Sequence, residues 1–296
     1  MDNNDIEVAV VGCGRWGKNL IRVFDDLATV RLCCHTGTPR NRQWLAKHYP
    51  TVECTTDFDR VLAADIDAVA IATPIETHYR LVRKAIENET DVFVEKPLTE
   101  RGETARELAN LALNHSAVLA VGYVFVHHPA FRYIAQVHAD TPVEYARFEW
   151  RKLGGFKEDI IANLGSHDFA MAYRLFGSRP DSVELVESIQ ATGRRNIVTL
   201  NLTFEEAECQ VCLNRFDPQK RKTVTFITNS DELYFWEDDT VRRFDPTTES
   251  FQPVFETDRE PLRVEIERFL ACVRRERTPV TDGDFGAVVT ELFESL

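Results

Sequence analysis

The chain has 296 residues, of which 44% are hydrophobic and 28% charged, and its formal net charge is −13. This is the composition of a globular protein long enough for two ordinary domains. The negative charge argues against binding nucleic acid or an anionic membrane by bulk attraction. No run approaches the roughly 20 apolar residues of a membrane helix, and the acidic start 1–5 is unlike a signal peptide. We therefore expect a cytoplasmic protein.

The first recognisable element is a glycine loop between a strand and a helix. A β-branched run, 6–11, precedes the loop, and 18–24 has the apolar spacing of a helix. In this context Gly12 allows a tight turn, Gly14 lets the backbone approach a pyrophosphate, and Gly17 lets the helix pack on the strand. The full loop is Gly12-Cys13-Gly14-Arg15-Trp16-Gly17. The pattern predicts a dinucleotide site with phosphates at the helix N-terminus.

Strands and helices then alternate through the first half of the chain. Strands are predicted at 30–34, 68–72, 92–94 and 118–121, and helices at 41–48, 77–88 and 98–114. Such alternation predicts a parallel, doubly wound α/β sheet that binds its ligand at the carboxyl ends of the strands. Gly12, Thr73 and Lys96 each follow a strand, so we expect all three at one crevice.

The second strand lacks the acidic residue that usually bonds the adenosine ribose. Thr36 stands where that acid is expected. A threonine does not repel a 2′-phosphate, and Arg40 or Arg42 can reach one. The cofactor is therefore predicted to be NAD or NADP, with a lean towards NADP or dual use. The alternative is that these arginines are a solvated helix start.

The seven cysteines and the paired histidines do not suggest a metal site. Cys209 and Cys212 form a single CxxC in an alternating segment, where positions three apart face opposite sides of a strand. No second pair supplies four ligands. His127 and His128 are expected to be structural. We predict no metal.

The motifs resemble those of the Gfo/Idh/MocA oxidoreductases over nearly the whole chain. After the glycine loop come the segments that carry the resemblance: Thr73-Pro74-Ile75-Glu76-Thr77-His78, Glu95-Lys96-Pro97, Gly122-Tyr123, Gly165-Ser166-His167-Asp168 and Pro261-Leu262-Arg263-Val264-Glu265. The segments around Gly14–Leu20 and Gly122–Ala130 look most like the branch that acts on nucleotide-linked sugars, including the UDP-N-acetylglucosamine 3-dehydrogenase type.

The resemblance implies a nucleotide-binding Rossmann domain, residues 1–121, followed by a substrate-binding α/β domain, residues 122–296, with a large, mainly antiparallel open sheet. The exposed face of this sheet would form the contact between subunits of a homodimer or homotetramer. The second half agrees, because six segments have strand patterns, many of them alternating. These are 143–151, 183–189, 196–204, 207–216, 222–228 and 232–236.

The same resemblance assigns the chemistry to Lys96 and His167, which flank the alcohol carbon in the family. His167 suits a general base, because imidazole titrates at about pH 6.5. Lys96 would share the proton and stabilise the developing alkoxide. The family's acid is replaced by Asn163, which cannot act as a base but can bond a substrate hydroxyl. At helical spacing, Asn163 and His167 share one face.

The remaining site predictions concern contacts to cofactor and substrate. The residues expected at the cofactor are Gly12, Gly14, Arg15, Trp16, Gly17, Thr36, Arg40, Thr73, Pro74, His78, Glu95 and Lys96, and those at the substrate are Tyr123, Arg151, Asn163 and His167. Lys152 and Lys157 could also reach a diphosphate, and Pro97 could follow a cis peptide bond.

Three functions stay open at this point. The first is hydride transfer between nicotinamide and a ring hydroxyl or ketone of a nucleotide-linked sugar. The second is the same chemistry on a free sugar, inositol or another polyol. The third is a cofactor-binding sensor without turnover, which Asn163 favours and the retained Lys96 and His167 oppose.

Overall fold

The structure is a computed structural model that describes residues 6–154, 156, 158–191 and 193–296. It divides into two compact units. The first contains the described residues up to Tyr123 together with Leu262–Glu291, and the second contains Val124–Pro261 and Leu292–Leu296.

The first unit is built on a six-stranded sheet in the order β3-β2-β1-β4-β5-β6, in which every neighbouring pair is parallel. The strands are β1 (Glu7–Val11), β2 (Thr29–Cys34), β3 (Glu53–Thr55), β4 (Ala68–Ile71), β5 (Asp91–Glu95) and β6 (Leu119–Gly122). The helices before Tyr123 are α1 (Arg15–Leu27), α2 (Pro39–His48), α3 (Phe58–Leu62), α4 (His78–Glu87) and α5 (Gly102–His115). The predicted doubly wound parallel sheet is confirmed.

The apolar strands of this sheet show why the sequence folds this way. All four residues of β4 are buried, because a parallel sheet is covered on both faces. Helix α1 has a side that faces the sheet and consists of apolar residues three and four apart, including Leu20, Ile21 and Phe24. The short β3 and α3 were not predicted, since three and five residues carry little periodicity.

The end of the chain returns to the first unit. Helices α8 (Pro261–Val273) and α9 (Gly283–Glu294) follow the second unit in sequence. The ring of Phe269 on α8 lies 6.1 Å from that of Phe24 and 5.6 Å from that of Phe93. Arg275 donates to the buried carboxylate of Asp91 at 2.8 Å. The predicted second domain, 122–296, included this segment, whereas these contacts connect it to the six-stranded sheet of the first unit.

The second unit contains an eight-stranded sheet in the order β14-β13-β12-β11-β7-β10-β9-β8. Its strands are β7 (Val143–Arg151), β8 (Ser182–Ala191), β9 (Arg194–Phe204), β10 (Ala207–Asn214), β11 (Arg221–Thr228), β12 (Leu233–Glu237), β13 (Thr240–Asp245) and β14 (Ser250–Glu256). Only the β7–β10 pair is parallel, so the predicted mainly antiparallel sheet and its six strands are confirmed. The sequence analysis missed β13 and β14. Strand β14 contains Pro253, which is tolerated there because β14 is an edge strand.

The faces of this sheet differ in burial. On β7 the residues Ala146, Phe148 and Trp150 are buried and alternate with more exposed ones. Helices α6 (Pro129–Asp140) and α7 (Ser166–Phe176) belong to the same unit. Edge strand β8 instead exposes Leu185 and Val186, among other apolar side chains. Assembly through this sheet stays a prediction.

None of the helices in the described ranges is both long and apolar enough to cross a membrane. In the same ranges, no group of three or more His, Cys, Asp or Glu side chains is arranged to hold a metal ion.

Candidate active site

In the glycine loop of the first unit, two glycines are required by the packing of the chain and one is not. Gly12 has φ +105°, and a Cβ at this position would overlap the carbonyl oxygen of Ala72. A Cβ on Gly17 would overlap the carbonyl oxygen of Gly12. Gly14 differs, because a Cβ there would meet no heavy atom within 4 Å. Chain packing therefore explains Gly12 and Gly17, whereas Gly14 has open space beside it.

That open space lies at the start of α1. Gly14 is the N-cap of α1, and no side chain caps the helix. The first N–H groups of a helix lack partners within the helix and attract anions. Open space beside Gly14 and an N-terminus without a side-chain cap are what a pyrophosphate requires. The residues present therefore fit a dinucleotide.

The segments that follow β4 and β5 are joined by a buried histidine. His78 Nε2 lies 2.9 Å from the carbonyl oxygen of Thr73, and its Nδ1 lies 3.0 Å from that of Pro97. Burial lowers the pKa of His78. The hydroxyl of Thr73 lies 2.7 Å from that of Thr77. His78 thus joins the segment after β4 to the backbone immediately after Lys96, and the Lys96–Pro97 bond is cis, as the sequence suggested.

Glu95 connects the end of β5 to the glycine loop. The indole Nε1–H of Trp16 donates to Glu95 Oε1. Burial raises the pKa of Glu95 to about 7, although the bond from Trp16 and the charge of Lys96 oppose this shift. The carboxyl of Glu265 on α8 is buried close by, and its pKa is raised by burial and then by Glu95.

The chain just after β2, at Thr36, where the sequence predicts the cofactor ribose, is exposed and has cationic side chains nearby. Thr36 and Arg40 are exposed. A neighbouring cleft of about 660 Å³ is lined by Arg15, Lys18, Asn19, Arg22, Thr38, Arg40, Asn41, Trp44 and Tyr49. It contains four cationic side chains in a protein of net charge −13. His35 turns inwards instead, with its Nδ1 accepting from the backbone N–H of Gly37 at 3.2 Å.

In the second unit, His167 packs against two aromatic rings that also contact each other. Its imidazole centroid is 5.1 Å from the ring of Phe125 and 5.3 Å from that of Trp150. The side chain is buried, with 8% of its residue surface exposed. Apolar and aromatic surroundings of this kind exclude water from an imidazole. The sequence did not assign Trp150 to the site, although its alternating position on β7 placed it on one face with Phe148.

The predicted helical spacing of Asn163 and His167 is modified by a π-helical turn. Residues Ile161–Gly165 form this turn, and α7 begins only at Ser166. Single π turns inside helices recur at functional sites. The amide of Asn163 donates to Glu158 Oε2 at 3.4 Å. That Asn163 and His167 share a pocket stays a prediction.

A lysine that sequence reasoning missed contacts the same two aromatic rings as His167. Lys222 on β11 pairs across the sheet with Trp150, and its ammonium lies 2.5 Å from Asp168 Oδ1. One signal was available, because alternation along β11 places Lys222 on the same face as the buried Val224 and Phe226. A lysine on a buried face is unusual and needs a partner.

Two predicted substrate residues have surroundings of a different kind. Tyr123 is fully buried against Phe285, with ring centroids 5.7 Å apart. Arg151 is exposed and pairs with Glu149 at 3.2 Å. Their role in binding substrate stays a prediction, and Lys157 lies outside the described residues.

Comparison with known proteins identifies relatives over these same segments. Residues 6–123 match the family described as "Oxidoreductase family, NAD-binding Rossmann fold" (GFO_IDH_MocA). The chain is 28% identical over 242 residues to the UDP-N-acetylglucosamine 3-dehydrogenase of Acidithiobacillus ferrooxidans. The aligned region covers 76% of each chain. It is 29% identical over 197 residues to scyllo-inositol 2-dehydrogenase (NAD(+)) of Bacillus subtilis, covering 61% of this chain and 56% of that one.

A solved structure shows the same fold across both units. The UDP-N-acetylglucosamine 3-dehydrogenase of Acidithiobacillus ferrooxidans superposes with a TM-score of 0.90 at 22% identity, covering 98% of this chain and 96% of that one. The glycine loop, the parallel sheet and the profile match agree with one another. Residues 6–123 therefore match the NAD-binding Rossmann fold of the Gfo/Idh/MocA oxidoreductases, and the solved structure has the same fold as the chain.

Proposed function

We propose that this protein is an NAD(P)-dependent dehydrogenase that transfers hydride between nicotinamide and a ring hydroxyl or ketone of a nucleotide-linked sugar. The observation that carries the proposal is the glycine loop. Gly12 and Gly17 are needed by the chain itself, whereas the open space beside Gly14 at the start of α1 suits a pyrophosphate. The dinucleotide would contact Gly14, Arg15, Trp16 and Thr73.

Lys96 and His167 are the residues we propose for proton handling. When bound, the nicotinamide ring supplies the hydride acceptor. His167, packed against the rings of Phe125 and Trp150, takes the hydroxyl proton as the general base. Lys96 stabilises the developing negative charge on oxygen as a cation. Its position is fixed by the preceding strand β5 and by the bond from His78 to the carbonyl oxygen of Pro97.

A nucleotide-linked substrate is supported by the relative that acts on UDP-N-acetylglucosamine, because that match extends over three quarters of both chains. The inositol dehydrogenase match is shorter on both chains and supports the alternative, a free polyol. Asn163 can bond a hydroxyl of either substrate, since an amide both donates and accepts.

For the cofactor we propose use of NADP as well as NAD. Thr36 removes the carboxylate that would repel a 2′-phosphate. Arg40, which lines the cationic cleft, would pair with that phosphate. Replacement Arg40→Ala should therefore weaken NADPH binding about tenfold or more and leave NADH binding nearly unchanged. Equal losses for both cofactors would contradict the assignment.

The first experiment is a thermal-shift titration with NADH and NADPH, each followed by UDP or dTDP. Ligands that bind only the folded protein raise its melting temperature. Stabilisation by a cofactor that increases with a nucleotide diphosphate leads to oxidation assays on nucleotide sugars. The variants Lys96→Ala and His167→Ala should then bind cofactor with little turnover, and the exposed Lys47→Ala is the matched control.

Each other outcome selects an alternative. Cofactor stabilisation without a nucleotide effect favours a free sugar or polyol. Cofactor binding without turnover on a broad sugar panel favours a sensor. The absence of stabilisation by either cofactor would overturn the proposed enzyme.

A further inference from the structure

The second unit contains a buried ion pair that includes Asp168, the residue that follows His167. Lys222 Nζ lies 2.5 Å from Asp168 Oδ1, and the two side chains are 11% and 0% exposed. The other oxygen, Asp168 Oδ2, is buried and has no hydrogen-bond partner among the described residues. The Asp168 carboxylate thus depends on one lysine. Buried ion pairs are expensive to form, and breaking one leaves an uncompensated charge.

Lys222 and His167 contact the same two aromatic rings. The ammonium lies 4.1 Å from the ring centroid of Trp150 and 4.6 Å from that of Phe125. The imidazole centroid is 5.3 Å and 5.1 Å from the same rings. Cation–π contacts of this kind hold both the cation and the ring faces in place. Lys222 therefore contacts the two rings that His167 packs against, and it pairs with Asp168, the residue that follows His167.

We propose that Lys222 is a positioning residue for His167, holding the Phe125 and Trp150 rings in place and cancelling the charge of Asp168 beside the imidazole. This inference rests on the proposed function, in which His167 handles the substrate proton. The acid found four residues before the histidine in the family is Asn163 here, and Asp168 is the acidic residue in the first turn of α7. With Asp168 committed to Lys222, its charge does not hold His167 as an imidazolium, so the imidazole is available as a base.

Other titratable and charged groups lie on the neighbouring elements of the second unit. The segment before α6 contributes the buried His127 and His128, and His128 Nε2 lies 3.6 Å from Asp239. On β7, Glu149 and Arg151 flank Trp150, point to the opposite face and pair with each other.

Two further groups complete this set. On β10, Cys209 is buried, and its pKa is raised by burial and by the charge of Asp168. On β11, Arg221 pairs with Glu237 at 2.5 Å. The experiment therefore changes the charges of Asp168 and Lys222 and leaves the other groups as they are.

The test measures the titration of His167 in the full, cofactor-free chain by NMR of ¹⁵N-labelled imidazoles. Its resonance is assigned by its loss in His167→Gln. The variant Asp168→Asn leaves a lone ammonium, so the midpoint should fall by about one pH unit. Lys222→Met leaves a lone carboxyl and should raise the midpoint. The double variant, Asp168→Asn with Lys222→Met, should have a His167 midpoint close to that of wild type. Lys222→Arg should retain the wild-type midpoint.

The same variants are assayed for turnover. The acid limb of kcat/KM should follow the NMR midpoints. An unchanged His167 midpoint in the single variants overturns the inference, and either variant suffices if the other does not fold. If the midpoints move as expected but His167→Gln keeps full turnover, the charge balance stands and the proposed role of His167 as base fails. The two failures are therefore distinguishable.

Discussion

Replacing Glu95 by Gln should stabilise the cofactor-free protein above neutral pH. Glu95 lies at the end of β5, where its carboxyl accepts from the indole of Trp16. Burial raises its pKa from 4.5 to about 7. The amide oxygen of Gln can accept the same bond from Trp16, and the variant carries no charge. The substitution therefore isolates the cost of ionising this carboxyl.

The magnitude follows from the shift in the pKa of Glu95. The rise from 4.5 to about 7, at about 1.4 kcal/mol per unit, corresponds to about 3 kcal/mol. The direction follows from proton uptake. Between these two pH values the folded protein binds more protons than the unfolded chain, so rising pH reduces its stability. The full cost applies above pH 7, and it vanishes below pH 4.5.

The assay is urea unfolding, followed by circular dichroism, at several pH values from 4.5 to 8. The free energy of unfolding of Glu95→Gln should exceed that of wild type by up to about 3 kcal/mol at pH 8, and the difference should disappear towards pH 4.5. Glu100→Gln, an exposed position on the same segment, should show no such pH-dependent gain. Parallel stability curves for wild type and Glu95→Gln would refute the argument.

Three further predictions concern other parts of the chain. Gly14→Ala should leave stability within about 1 kcal/mol of wild type and weaken NADH binding at least about tenfold, whereas Gly12→Ala, at φ +105°, should lower the melting temperature itself. Burial lowers the pKa of His128 from 6.5 to about 4. The free energy of unfolding of wild type should therefore fall by up to about 3 kcal/mol as the pH is lowered from 6.5 to 4. In urea titrations, His128→Asn should show a smaller fall over this pH range. Asp91→Asn should cost about 1–3 kcal/mol in the same assay, because it weakens the pair with Arg275; a neutral result would show that this pair contributes little.

The fold of the first unit was predictable because its signals are local. Buried parallel strands appear as short continuous apolar runs, and the helices between them alternate with clear periodicity. The return of α8 to this unit was not predictable. Periodicity shows that a helix has an apolar side, but it does not show which sheet covers that side. The contacts of Phe269 with Phe24 and Phe93 join residues far apart in sequence.

The candidate site was predictable where a motif includes its own structural context. The glycine loop follows a strand and opens a helix, so each glycine could be given a physical role. Lys222 had no such context, since its importance comes from a cross-strand neighbour, Trp150, and from Asp168 on a helix. The π turn before α7 was also missed, because Asn163 and His167 have the spacing of an ordinary helix.

Two buried aspartates show how hydrogen bonding separates a structural from a functional position. Asp91 accepts from the backbone N–H of Val118 at 2.8 Å, and both its oxygens accept from Arg275. That set satisfies a buried carboxylate and joins the end of the chain to β5. Asp168 is as deeply buried, yet one oxygen has only Lys222 and the other has no partner among the described residues. Incomplete satisfaction of a buried charge is costly, and such groups concentrate at functional sites. That Asp168 immediately follows His167 is what connects this cost to the proposed chemistry.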